Sequence, residues 1–452
     1  MRPFIIANLR WIAAGFLLLF ASSFGQTFFI ALSGGAIRAE FGLSDGGFGA
    51  LYMAATLTGA LGLVWLGPIV DRMAPWRVML IAMPALAAGM VTIALAPALP
   101  VLPALPVLPA LPVLFLALCL LRLFGQGMMV HIAYTAIGRW FAAGHGSAAG
   151  RGSTAGRGST AGRGLAVSLS ALGLNLGQAV LPLAFVAGMA AGSWQINWLV
   201  AAALLLLVVM PLAVWLARVE RVPGQTVTGG PAGRLAETGP APAPAPAPAP
   251  DSGWTRAQVL RDPCFYGLLL GMLPPAFISN TIFFHQVHLG RLRGWPADVF
   301  ASAFTGYALV TVACVLLAGQ LIDRFSARAL LPAYLLPMGA GCLLLGLVDA
   351  PWAAFGFMML YGISDGASLA LFGSLWPEIY GTRFLGAIRA AVVALMVFAS
   401  ALGPGIGGAL IDLGVAFPAQ ITAMGLYCLL VPGVLLVLVG RLERRGPAPL
   451  TG

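Results

Sequence analysis

Twelve long apolar runs dominate this sequence, and few folds can accommodate them. Hydrophobic residues make up 60% of the chain and charged residues only 8%, whereas soluble domains carry roughly 25% charged residues. A helix that crosses a bilayer needs roughly 20 mostly apolar residues, and in lipid a helix satisfies its own backbone hydrogen bonds. The sequence therefore predicts an all-α integral membrane protein with transmembrane spans at about residues 9–33, 47–70, 78–97, 113–141, 164–190, 195–217, 263–289, 297–322, 329–348, 351–374, 384–412 and 416–440.

A short charged phrase closes the second apolar run and recurs at the end of the eighth. Residues 67–72 read GPIVDR and residues 319–324 read GQLIDR, so the two aspartates, Asp71 and Asp323, are 252 positions apart. A further arginine follows each copy, at Arg77 and Arg328. Matching motifs in two hydrophobic halves are typical of transporters built from internal repeats. We therefore predict two pseudo-symmetric six-helix bundles.

A long polar segment separates these halves. It includes the alternating Pro-Ala sequence of residues 240–250, which predicts an extended spacer without a fold. Two perfect short repeats, within 99–114 and 150–164, lie in predicted connecting loops, where such expansions are tolerated without a specific role. The predicted organisation is an N-terminal bundle (1–217), a cytoplasmic linker (218–262), a C-terminal bundle (263–441) and a cytoplasmic tail (442–452).

Arginine supplies every basic side chain, and its distribution predicts the orientation of the chain. Short loops rich in arginine stay in the cytoplasm. With both termini inside, twenty arginines fall on the cytoplasmic side, three fall on the opposite side (Arg38, Arg291 and Arg293), and Arg122 alone lies within a span. The sequence predicts a multi-pass protein of the bacterial inner membrane with both termini cytoplasmic. The arginines are too scattered for a nucleic-acid site.

The loop between predicted spans two and three resembles the hallmark motif of the major facilitator superfamily, G-x-x-x-D-R-x-G-x-R-R. Residues 67–77 read GPIVDRMAPWR, with Ala74 in place of the second glycine and Trp76 in place of the first closing arginine. The second copy has Ser326 where the motif has its second glycine. The resemblance covers about residues 9–440. It implies the twelve-helix fold of that family, a small-molecule substrate, a monomer in the lipid bilayer and no cofactor.

The resemblance also implies a conformational switch in which these charges lock the cytoplasmic side when the protein faces outward. An ion pair made in only one state biases the equilibrium between states. The alternative is that the motif residues only anchor a turn and fix topology. The predicted switch residues are Gly67, Asp71, Arg72, Arg77, Gly319, Asp323, Arg324 and Arg328, with Glu378 and Arg383 as a cytoplasmic charge cluster.

Arg122 is the candidate substrate-binding residue, because an ionisable group inside a span is costly and commonly functional. It lies near mid-depth of predicted span four, followed by Gly125, Gln126 and Gly127. This sequence resembles the arginine-and-glycine element of span four in many facilitator transporters, where the arginine binds an anionic substrate or takes part in proton coupling. The alternative is an arginine tied to helix carbonyls or to a neighbouring polar residue.

Asp365, at mid-depth of predicted span ten, is the natural opposite of Arg122. The two could pair across a central cavity or respond separately to substrate and proton. A buried carboxylate tends to hold its proton, so Asp365 is a candidate proton carrier. The alternative is a structural carboxylate bonded to Ser364, Ser368 or a neighbouring helix.

Further polar residues lie in predicted spans. His285 and His288 are three residues apart and share a helix face, but no third ligand is evident, so we predict no metal site. His285 is a candidate titratable group facing a wet cavity; otherwise it is a packing residue. The remaining predicted cavity residues are Gln26, Tyr134, Asn175 and Gln126.

The sequence therefore predicts a secondary active transporter that works by alternating access. Arg122 favours a small organic anion, such as a monocarboxylate, moved with a proton or by exchange. The alternatives are a proton-driven efflux antiporter for lipophilic compounds and, remotely, a non-transporting membrane sensor. The chain contains no metalloprotease or nucleotide-loop motif, so we do not predict an enzyme.

Overall fold

The computed structural model describes residues 2–97, 110–141, 155–219, 254–381 and 384–444, and these are nearly all helical. The described residues of the first half form α1 (Arg2–Ser22), α2 (Thr27–Ile30), α3 (Gly34–Phe41), α4 (Asp45–Leu66), α5 (Ile69–Arg72), α6 (Pro75–Leu95), α7 (Ala110–Leu120), α8 (Val130–Trp140), α9 (Ala155–Ala191), α10 (Trp194–Leu204) and α11 (Met210–Ala217). Those of the second half form α12 (Arg256–Arg261), α13 (Pro263–Phe284), α14 (Gln286–Leu292), α15 (Asp298–Phe325), α16 (Ala327–Leu330), α17 (Leu336–Leu347), α18 (Trp352–Tyr380), α19 (Leu385–Asp412) and α20 (Phe417–Arg444).

Eleven helical stretches in the described part of the chain are long and apolar enough to cross a membrane. They coincide with eleven of the twelve predicted spans. The predicted ninth span is different, because α17 has only 12 residues, about 18 Å at 1.5 Å per residue. Residues 331–335 form turns instead, and Pro332 and Pro337 remove two backbone donors from this region.

Arg293 stabilises the end of this short helix. Its side chain is only 4% exposed and donates hydrogen bonds to the backbone oxygens of Leu345 (2.7 Å) and Gly346 (3.1 Å). Its Nε lies 3.0 Å from a carboxylate oxygen of Asp349. The last carbonyls of a helix have no partner within the helix, so this arginine satisfies them and allows α17 to stop there.

Helix packing between the halves is symmetric. The long helix α4 packs along α19, and α9 packs along α15. In helix order, the second span of the first half contacts the fifth span of the second half, and the fifth span of the first half contacts the second span of the second half. This reciprocal arrangement is what an internal duplication requires.

The helix bundle has two ends, a terminal end and a distal end. The terminal end is the one where α1 starts and α20 finishes; there, the Arg10 guanidinium donates a 2.7 Å hydrogen bond to the backbone oxygen of Leu216 at the end of α11. The distal end is the opposite one, where α4 starts and α19 finishes.

Two segments that were predicted as connections contain helix. The backbone of α9 begins at Ala155, so the second copy of the Arg-Gly repeat continues into that helix. Within the predicted linker, α12 starts with a capping box formed by Thr255 and Gln258, and the Trp254 amide donates a 3.0 Å bond to the backbone oxygen of Tyr380. The alternating Pro-Ala sequence, 240–250, lies outside the described residues.

Candidate functional site

The first predicted span is not one continuous helix. A 3-10 turn, Ser23–Gly25, follows α1, and Gln26 has an extended backbone (φ −81°, ψ 152°) before α2 begins. The interruption breaks the regular ladder of helix hydrogen bonds, so nearby carbonyl groups become available to other partners. This break positions the Gly25 carbonyl for the contact with Arg122 described below.

The fourth span is irregular at the same level. Leu121–Met129, which contains Arg122, is a π-helix between α7 and α8, and such segments often occur at functional sites. A Cβ on Gly25 would lie 2.2 Å from the Leu121 oxygen and 2.6 Å from the Gly125 Cα. The two irregular backbones therefore touch directly, which only glycine allows.

Arg122 is 3% exposed and is held by neutral groups. Its Nε donates to Thr56 Oγ1 (3.1 Å), and its Nη1 donates to the Gly25 oxygen (3.1 Å) and to Thr27 Oγ1 (3.4 Å). Its guanidinium carbon lies 5.2 Å from the centre of the Tyr52 ring. No Asp or Glu of the described residues lies within 4 Å of it, so its charge has no counter-ion there.

The surroundings of Arg122 extend to the second half of the protein. The Tyr52 hydroxyl donates a 2.9 Å hydrogen bond to Thr27 Oγ1. The Thr27 hydroxyl in turn donates to the side-chain oxygen of Asn280 on α13. The Tyr52 ring also contacts the Phe284 ring, with 4.6 Å between centroids. Arg122 therefore lies close to the boundary between the halves.

Asp365 does not pair with Arg122. The Tyr307 hydroxyl donates a 2.8 Å bond to one carboxylate oxygen, and the Tyr361 hydroxyl lies 3.4 Å from the other. The two tyrosine rings stack, with centroids 5.2 Å apart and planes 7° apart. The carboxylate is thus bound within the second half by two phenols, and the neighbouring serines are not its partners.

The other predicted cavity residues make fewer contacts. Gln26, Gln126 and Asn175 are half-buried, and Tyr134 is 43% exposed. Their side chains have no hydrogen-bond partner among the described residues. They remain predictions.

At the terminal end, the motif of the first half pairs within that half. The Asp71 carboxylate lies 3.4 Å from an Arg139 nitrogen, and Arg139 also donates to the backbone oxygen of Met73. The His131 ring lies 3.2 Å from the Gly67 oxygen, next to the turn. Arg72 and Arg77 are exposed.

The motif of the second half also pairs within its own half. Arg328 Nε lies 3.2 Å from a Glu378 carboxylate oxygen, and the Ala327 amide donates to the other oxygen at 3.1 Å. Arg324 lies over the Phe325 ring, and Gly319 has open space around it. The side chain of Asp323 and all of Arg383 lie outside the described residues. Among the described residues, no terminal-end ion pair joins the two halves.

At the distal end, by contrast, charged groups join the halves. Asp45 forms an ion pair with Arg38 of the first half. His288 Nδ1 of the second half lies 3.2 Å from one of its carboxylate oxygens, and His285 Nδ1 lies 3.7 Å from the other. Asp412 accepts hydrogen bonds from Ser44 Oγ (2.6 Å) and from the backbone amide that follows Asp45 (3.0 Å).

Backbone contact accompanies these charges. A Cβ on Gly49 would lie 2.4 Å from the backbone oxygen of Pro404, and a Cβ on Gly408 would lie 2.4 Å from the backbone oxygen of Asp45. The helices α4 and α19 therefore meet at close range at the distal end, which is closed. His285 is 2% exposed in this contact, and so the expectation that it faces a wet cavity is wrong for this conformation.

Sequence reasoning overlooked several residues of this arrangement. Tyr52 and Thr56 are polar residues four positions apart in an apolar span, and this spacing places both on one helix face. Asp45 lies between the first two predicted spans, outside both, yet its side chain is only 13% exposed. Asp412 is the last residue of predicted span 384–412, and nothing in the sequence indicates that it contacts the first half.

Comparisons with known proteins agree with this architecture. The family model for the Major Facilitator Superfamily matches residues 15–290, and that of the MFS_1 like family matches residues 176–420. The comparison with curated proteins gives no match.

Solved structures share the fold at low identity. A bacterial homologue of the human lysosomal transporter Spinster, in an inward-facing and unoccupied conformation, is 16% identical, with a TM-score of 0.62 over 98% of this chain and 96% of that one. The nucleoside transporter NupG is 12% identical, with a TM-score of 0.60 over 97% of this chain and 98% of that one. These structures show the fold, and the family model, which matches more than half of the sequence, shows that this chain belongs to the Major Facilitator Superfamily.

Proposed function

We propose that this protein is a secondary active transporter that moves a small organic anion, such as a monocarboxylate, with a proton or by exchange. The observation that carries the proposal is the state of Arg122: a guanidinium buried close to the boundary between the halves, with only neutral partners among the described residues. Burying a charge without a counter-ion costs several kcal/mol. A carboxylate substrate would supply the missing charge.

We propose that the terminal end faces the cytoplasm. Twenty of the 24 arginines fall on that side of the predicted topology and favour it by the positive-inside rule. The distal end is closed by contacts between the halves, whereas the ion pairs at the terminal end stay within each half. These features support an inward-facing state, which is also the state of the Spinster homologue of similar fold.

The proposed cycle uses the difference in contacts between its two states. An anion bound at Arg122 neutralises the buried charge, and it then stabilises whichever state brings more partners around it. Where transport is proton-coupled, we assign the proton to Asp365. Two phenol hydroxyls surround that carboxylate in the second half, so its charge can change without disturbing Arg122 directly.

Binding of monocarboxylates to purified protein tests the assignment. Hydrogen bonds to charged groups contribute about 1.5–3 kcal/mol, so we expect Arg122→Ala to weaken binding roughly 10- to 150-fold at 1.4 kcal/mol per tenfold. Arg122→Lys should retain part of the affinity, because it keeps the charge but loses the planar fork. Calorimetry or thermal shift against a panel of organic acids measures both.

A matched control is Arg10→Gln, which removes another arginine that is held by backbone oxygens, but at the terminal end. It should bind the anion as the wild type does. Equal affinity of wild type and Arg122→Ala would contradict the anion site. Binding of lipophilic cations instead of acids in the same panel would favour the efflux alternative.

A further inference from the structure

Two histidines of the second half face a carboxylate of the first half at the distal end. His288 Nδ1 and His285 Nδ1 lie 3.2 Å and 3.7 Å from the two oxygens of Asp45. These contacts cross the boundary that must open when the distal end opens. These contacts therefore exist only while this end is closed.

The geometry around His285 places a hydrogen-bond acceptor near each ring nitrogen. Its Nε2 lies 3.1 Å from the backbone oxygen of Pro404, an acceptor, so this nitrogen must donate. Its Nδ1 faces the Asp45 carboxylate, also an acceptor. A neutral imidazole has one donor and one acceptor nitrogen, whereas an imidazolium has two donors. A proton on Nδ1 would therefore add a donor that faces the Asp45 carboxylate, while Nε2 keeps its bond to the Pro404 oxygen.

Among the described residues, few other charged groups lie near Asp45, His285 and His288. Arg38 on α3 forms an ion pair with Asp45, and the Arg291 guanidinium packs against Gly35. Asp412 at the end of α19 is bound by Ser44 Oγ and by the Gly46 amide. On α20, the neighbour of both histidines is the uncharged Phe417 ring. Asp45 is thus the acidic partner that the two histidines share.

We propose that Asp45, His285 and His288 form a proton-binding site that holds the distal end closed, so that the pH of the distal compartment controls the conformational equilibrium. The proposal rests on the alternating-access part of the proposed function and does not depend on the anion at Arg122. Histidine is the side chain type that changes charge between about pH 5 and 8, which suits such a role.

The direction of the effect follows from linkage. In the closed state each imidazolium gains a carboxylate partner, and in the open state it loses that partner to water. A carboxylate partner that is present only in the closed state favours the charged imidazole there, so we expect a lower pH to favour closure. Each such proton changes the closed-to-open ratio by at most about tenfold per pH unit.

Spin-label distances across the distal end test the proposal. Ala39 and Leu413 are both exposed and lie on opposite halves, so Ala39→Cys and Leu413→Cys carry the labels after the five native cysteines are replaced. In the absence of substrate, we expect the short-distance population to grow as the pH falls from 8 to 5. The double variant His285→Gln/His288→Gln should show, at every pH, the distribution of the wild type at pH 8.

The matched control is His131→Gln, which removes a histidine that contacts a backbone oxygen at the terminal end; it should keep the full pH response. Asp45→Asn should abolish the response while leaving both histidines in place. The proposal is overturned if the wild-type distribution does not change with pH, if the double variant still responds, or if the double variant stays closed at all pH values. Any of these results leaves the anion-binding test at Arg122 unaffected.

Discussion

Gly49→Ala should shift the protein away from its distally closed state. The added Cβ would lie 2.4 Å from the Pro404 oxygen and 3.0 Å from the Pro404 carbonyl carbon. Both are backbone atoms of α19, so no side-chain rotation relieves the clash. Ordinary contact starts at 3.4 Å, which means that α4 and α19 must separate by about 1 Å at this point.

The size of the shift follows from the cost of overpacking. Extra methyl groups in packed interiors cost roughly 1–3 kcal/mol. If only the closed state bears that cost, the closed-to-open ratio falls roughly 5- to 150-fold at 1.4 kcal/mol per tenfold. The measurement is the distance distribution between spin labels at Ala39 and Leu413, at fixed pH.

The control is a glycine at the same end of the bundle without a tight contact. Gly290 on α14 has no heavy atom within 4 Å of its would-be Cβ, so Gly290→Ala should leave the distribution unchanged. The reasoning is refuted if Gly49→Ala keeps the wild-type distribution, or if Gly290→Ala shifts it equally.

Three further predictions concern other parts of the molecule. Tyr52→Phe removes the hydroxyl that donates to Thr27, and the loss of a neutral hydrogen bond of about 0.5–1.5 kcal/mol should weaken anion binding about two- to twelvefold in calorimetry. Arg293→Ala leaves the carbonyls at the end of α17 unsatisfied and should lower the melting temperature in detergent by the equivalent of at least about 1.5–3 kcal/mol; the exposed Arg291→Ala should not. Asp71→Asn breaks an exposed ion pair with Arg139 and should cost at most about 1 kcal/mol of stability. Because we propose that this motif locks the terminal end in its closed state, spin labels at that end should nevertheless show a smaller closed population.

The fold was accessible from sequence because bilayer insertion leaves a strong one-dimensional signal. Runs of apolar residues reveal helices that lie in lipid, and eleven of the predicted spans have this form. The short helix at span nine has a local cause that composition does not reveal. Two prolines and a distant arginine that caps α17 decide where that helix begins and ends, and the arginine belongs to a different loop.

The site was predictable only in part. A lone arginine in a span is conspicuous, so Arg122 stood out, but its partners are two threonines, a tyrosine and a backbone carbonyl, which are common in membrane helices. The break at Gln26 was missed because residues 9–33 are mostly apolar and contain no proline to mark an interruption. Gly25 and Gly125 touch across 100 positions of sequence, and a single sequence contains no signal for that contact.

The segment α2 gives the structure a physical connection between the anion site and the distal end. Thr27 lies at its start and contacts both Arg122 and Asn280. The backbone oxygen of Phe28, one residue later, accepts a 3.0 Å bond from the Gln286 side chain, which is adjacent to His285. Because the break at Gln26 separates α2 from α1, this short piece can follow the second half while α1 stays with the first. We therefore expect a ligand that changes the position of Arg122 to act through Thr27 on the contacts of α2 with the second half, without any need for the whole of the first span to move.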